Sequence, residues 1–71
     1  MTSEINDILL EITQYCGENQ IRVSFTQYGS KRNSIEETTE MGDRVVQIQI
    51  GDKNDEDLYN LLSDFLVSLK G

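Results

Sequence analysis

The chain has 71 residues, with thirteen acids against six bases, a net charge of −7, and no proline, histidine or tryptophan. Lacking histidine, it lacks both the usual general base near neutral pH and the commonest metal ligand. A strongly anionic chain repels phosphate backbones, so direct nucleic-acid binding is not expected.

The length fits a single compact domain covering residues 1–71, in which folding buries only about 60% of the unfolded chain's surface. Cys16 is the lone cysteine, so no intrachain disulfide can form and a reducing compartment fits best. No stretch reaches the roughly 18 apolar residues needed to span a bilayer, and the N-terminus lacks a signal peptide's basic start and apolar core. A cytoplasmic protein is expected, with no membrane contact. The charge is uneven along the chain. Residues 1–20 carry −4, residues 21–35 carry +3, and residues 36–57 carry −6.

Ile5, Ile8, Leu9, Ile12 and Cys16 recur at helical spacing, which predicts a first helix from Glu4 to Cys16. Ser3 suits its N-cap, Glu4 and Asp7 suit the positive end of its dipole, and Gly17 is a natural terminator. On that stripe Cys16 reads as a small buried hydrophobe, with no basic group nearby to activate it. Ile21, Val23 and Phe25 then alternate with Arg22, Ser24 and Thr26, predicting a strand over 20–28. Gly29 to Asn33 is a turn by composition, whose Lys31 and Arg32 read as a solvated loop rather than an anion site.

Residues 34–40, Ser-Ile-Glu-Glu-Thr-Thr-Glu, form the second predicted strand, and Arg44 to Ile50 form the third. In the third, Val46, Ile48 and Ile50 occupy one face and Gln47 and Gln49 the other. Between the two strands, Met41-Gly42-Asp43-Arg44 offers a tight reversal. A two-residue turn at Gly42-Asp43 sets Ile35 against Ile50 and leaves Glu37 on the core face with Ile48. A buried unpaired carboxylate is costly. Three resolutions are open: a shifted register, a bulge that turns Glu37 outward, or a Lys or Arg that covers it.

Residues 52–57, Asp-Lys-Asn-Asp-Glu-Asp, resemble the start of a calcium loop only superficially. The sixth position lacks glycine, and Ser63 stands where the twelfth-position carboxylate belongs. No metal site or cofactor is expected. The plainer reading is an N-cap at Asn54 or Asp55 with acids in a helix's first turn. Leu58, Leu61, Leu62, Phe65, Leu66 and Leu69 continue that helix as one apolar stripe, which leaves Tyr59 and Val67 on a flank. The expected architecture is α+β, α-β-β-β-α. Its three-stranded sheet is expected to be antiparallel, a meander with both helices packed on one face and Ile21, Val23, Phe25, Val46, Ile48 and Ile50 turned toward them.

The candidate partner-binding residues are the carboxylates of the hairpin and of the second helix's start: Glu36, Glu37, Glu40, Asp43, Asp52, Asp55, Glu56 and Asp57. The α-β-β-β-α order is shared with double-stranded RNA-binding domains, but those need basic residues where Asn54-Asp55-Glu56-Asp57 stands. With its opening Glu4 to Ile12, an acidic Gly-containing hairpin tip, and Asn54 to Asp57 leading an apolar helix that ends in Leu69-Lys70-Gly71, the chain resembles the small type II-A anti-CRISPR proteins of phages and prophages. That resemblance implies an inhibitor of Cas9, working in a bacterial host, that places carboxylates where DNA meets Lys and Arg of the PAM-reading groove. On the matching loop, residues 40–44, only Glu40 and Asp43 carry the required charge, and Arg44 departs from the pattern.

The alternative is a small acidic interaction subunit, antitoxin-like or a homodimeric adaptor, using the flank of the second helix or an exposed strand edge. The protein is expected as a monomer or homodimer. An enzyme is not expected, since nothing in the sequence positions a pair of carboxylates for catalysis.

Overall fold

The elements of the computed structural model, which describes residues 3–27, 32–51 and 55–71, follow the order α-β-β-β-α. Helix α1 runs Ser3–Glu18, strand β1 Ile21–Gln27, β2 Ser34–Glu40, β3 Asp43–Ile50, and helix α2 Asp55–Lys70. The fold is α+β. No helix among the described residues is long and apolar enough to cross a membrane.

The sheet is mixed, not an antiparallel meander. Its strand order is β1-β3-β2: β3 lies in the centre, parallel to β1 and antiparallel to β2. Composition explains the exchange of places. With three glutamates in seven residues, β2 suits an edge, where charge is solvated and discourages further pairing. Strand β3 carries Val46, Ile48 and Ile50 toward the core, and Val45 on the opposite face is also buried, at 8% exposure. Strands on both sides, with their side chains, shield it on the uncovered face of the sheet. Arg22 and Thr38 are its neighbours in register.

The turn also shifts by one residue. Glu40 faces Asp43, so the reversal is made by Met41 and Gly42, with φ of 52° and 88°. Positive φ at both central positions is the type I′ geometry that matches strand twist, and it takes glycine readily at the second position. Ile35 therefore lies opposite Ile48 and Glu37 opposite Val46. The partners move by two, so every side chain keeps its face. Glu37 remains on the side of the helices, and Arg44 covers it: the guanidinium Nε donates to Glu37 Oε1 at 2.8 Å, and a terminal nitrogen donates to the same oxygen.

One cluster forms the core: Ile5, Ile8, Ile12 and Cys16 of α1, Leu58, Leu62 and Leu66 of α2, and Ile21, Val46, Ile48 and Ile50 of the sheet. All of those sheet residues share one face, so both helices cover that face and leave the other open. Phe25 does not join the fully buried set and is 41% exposed, because β1 is an edge strand that α1 covers only in part. Tyr59, early in α2, borders Glu4 and Asp7 of α1, while Lys70 at the end of α2 meets Glu11 at 2.9 Å and the Tyr15 hydroxyl donates to the Leu69 carbonyl, so the two helices run in the same direction. Gly17 does not end α1. The helix continues to Glu18, Asn19 donates back to the Tyr15 carbonyl at 3.1 Å, and Gln20 takes the left-handed conformation at φ 56°.

Candidate functional site

The open face of the sheet is polar by the same alternation that makes the other face apolar. Its floor is Ser24 and Thr26 of β1, Gln47 and Gln49 of β3, and Ser34 and Thr38 of β2. Glu36 and Glu40 of β2 rise from it, and Asp43 stands directly across from Glu40 at the mouth of the turn. Glu36 and Glu40 are separated by two strand repeats, roughly 13 Å at about 3.3 Å per residue. A shallow depression here is lined by Thr26, Ser34, Glu36, Gln47, Ile48 and Gln49. At about 210 Å³ it is smaller than a typical small-molecule pocket.

Three of the eight candidate acids are thus brought onto one surface: Glu36, Glu40 and Asp43. Glu37 is on the opposite face, held by Arg44. Asp55, Glu56 and Asp57 lie in the first turn of α2, beyond the far end of β3 from the hairpin tip. The length of β3 separates the two groups, roughly 23 Å at about 3.3 Å per residue. Asp52 lies outside the described residues, as do Gly29, Lys31 and Asn54. The seven described acids therefore do not make one continuous row.

Within the hairpin group, Glu40 is tied to Arg22 at 3.6 Å. Strands β1 and β2 are not neighbours, so this ion pair reaches across β3, over Val45. Both side chains are more than half exposed, at 60% and 63%, and the separation is long for a charged contact. Such exposed pairs contribute little. Next to Glu40, Met41 projects from the turn with its side chain fully in solvent.

A second group of acids was not singled out by sequence. Glu4, Asp7 and Glu11 share one side of α1 and border a shallow crevice with Tyr59 of α2. Their spacing of three and four residues was the available signal, although only the docking direction of α2 shows that Tyr59 completes the crevice. None of the described acids is buried. Among the described residues no three Cys, Asp or Glu side chains are placed so that they could hold a metal ion together.

Cys16 is fully buried. Burial pushes its thiol pKa up, and this outweighs the opposing pull of Arg44, whose charge Glu37 offsets in turn. A basic group is therefore near Cys16 after all, but it does not activate the thiol. The connection into β2 is fastened to the end of β3 by polar contacts: Gln49 Nε2 donates to the Arg32 carbonyl and the Gly51 amide to Asn33 Oδ1, both at 2.7 Å. Comparison with protein-family models, with curated proteins and with solved structures finds no match for this chain.

Proposed function

We propose that this protein binds the basic nucleic-acid groove of a partner and holds it closed to DNA by presenting carboxylates in place of phosphates. The observation that carries this reading is the helix-free sheet face ending at a hairpin tip where Glu40 and Asp43 stand side by side. No helix shields these groups, and the weak Arg22 contact leaves Glu40 free to exchange partners with an incoming guanidinium. The resemblance of the sequence to type II-A anti-CRISPR proteins makes the PAM-reading groove of guide-loaded Cas9 the first target to test. Binding is mutually exclusive with target DNA in this reading.

The experiment is a competition in a salt series. Protein and PAM-containing duplex are offered to guide-loaded Cas9 at low and at high ionic strength. Mutual displacement, with affinity falling steeply as salt rises, is the expected result. A ternary complex that retains DNA binding contradicts it. A second reading, an adaptor that docks through α2, draws on Tyr59 and Val67, which are 39% and 69% exposed on the flank of that helix. Such binding persists at high salt and is lost with Tyr59→Lys and Val67→Lys.

A further inference from the structure

The two edges of the sheet differ in kind. Strand β2 carries Glu36, Glu37 and Glu40, so a second β2 laid against it brings carboxylates together. Strand β1 has few of the features that keep an edge from pairing. Its seven residues, Ile-Arg-Val-Ser-Phe-Thr-Gln, include no acid, no lysine and no proline. Its register with β3 is one-to-one from Ile21↔Arg44 to Gln27↔Ile50, so no bulge twists the edge away. Its one charged residue, Arg22, lies on the open face of the sheet, 3.6 Å from Glu40 in an exposed pair.

Apolar surface is exposed along the same edge. Phe25 is 41% exposed, and Leu10 of α1, at 61%, lies across a groove from it. Asn6, Leu9, Thr13, Gln27 and Ile50 line the rest of that groove. We infer that β1 is a self-association edge, and that two copies of this chain pair antiparallel through β1 to form a continuous six-stranded sheet.

A second copy fits this edge because antiparallel self-pairing sets no like charges against each other along β1 and lays its apolar residues together. In a chain of net charge −7, the β1 edge is a strand without acids, and pairing there sets the two β2 edges at opposite ends of the joined sheet. Five interstrand steps separate them, roughly 24 Å at about 4.8 Å each. Full overlap of two seven-residue strands centres the pair on Ser24. Val23 then faces Phe25 of the second copy on the helix side, and Arg22 faces an uncharged Thr26 on the open side. Phe25 and Leu10 of both copies are covered together. This inference does not depend on the identity of any other partner.

Sedimentation equilibrium of the whole chain, with Leu10→Lys plus Phe25→Lys and Tyr59→Lys plus Val67→Lys as variants, tests it. The wild type is expected to dimerise. The β1 variant should weaken dimerisation at least about tenfold, and the α2 variant should leave it unchanged. Circular dichroism confirms that each variant is folded. Independently, Ser24→Cys places two thiols across the dimer axis, with Cα atoms about 4.5–5.5 Å apart, inside the range a disulfide spans. Mild oxidation should cross-link that variant, while Gln47→Cys on the central strand and the wild type with its buried Cys16 stay uncrosslinked. A wild type that remains monomeric at every concentration overturns the inference. So does a dimer that only the α2 variant dissolves, or a Ser24→Cys chain that never cross-links.

Discussion

Met41 occupies a left-handed backbone position that non-glycine residues adopt at a cost of roughly 1–2 kcal/mol, less for asparagine. Met41→Asn converts the turn to the favoured Asn-Gly pair of type I′ hairpins. A gain of about 0.5–1 kcal/mol is expected, which raises Tm by a few degrees in a domain of this size. An unchanged or lower melting point contradicts the turn geometry. Cys16 makes a different prediction. Because burial raises its pKa, the folded chain keeps the proton where the unfolded chain has begun to lose it. The stabilising contribution is full below the ordinary thiol value and is lost as pH rises through about 9 and beyond. The stability difference between wild type and Cys16→Ala should therefore shift against the wild type with alkaline pH. A thiol reagent should label Cys16 slowly in the folded chain and quickly after denaturation. Equal rates contradict its burial.

At the scale of elements, the helices and strands were legible from periodicity, because the apolar stripe of each had to face one core. Leu62 is fully buried while Val67, on the same helix, is 69% exposed. Leu62→Ala is expected to cost about 2–5 kcal/mol and Val67→Ala less than about 0.5 kcal/mol, read from denaturant melts. Comparable losses would contradict the way α2 is docked. Strand order was not legible in the same way. Alternation assigns side chains to faces but does not name a strand's neighbours, and the expectation of a meander rested on the tendency of consecutive strands to pair. Two local signals pointed elsewhere. Val45 beside Val46 breaks the alternation of β3 and marks a strand flanked on both sides, and the glutamates of β2 mark an edge. The position of Gly42 at the second place of a type I′ turn carried the hairpin register. Glu37 kept its face despite that shift, and its partner Arg44 lies on the next strand, one diagonal step away. Of the candidate site, the grouping of Glu36, Glu40 and Asp43 followed from strand parity. The separation of Asp55, Glu56 and Asp57 from them required the direction in which β3 runs.

For the molecule as a whole, the question is whether net charge or its placement would govern the proposed binding. Glu40 and Asp43 stand at the hairpin tip, and Glu4 and Glu11 stand on α1 beside the crevice with Tyr59. Each pair includes one residue held in an exposed ion pair, Glu40 with Arg22 and Glu11 with Lys70. Glu40→Lys with Asp43→Lys and Glu4→Lys with Glu11→Lys therefore change net charge equally and break one surface contact apiece. Surface substitutions of this kind usually move stability by less than about 0.5 kcal/mol, which thermal melts can verify. The most direct measurement is the affinity of these two variants for guide-loaded Cas9, compared with the wild type at one ionic strength. Loss concentrated in the hairpin variant is the expected result. Equal loss in both variants, or no loss in either, contradicts a carboxylate-bearing hairpin as the binding surface.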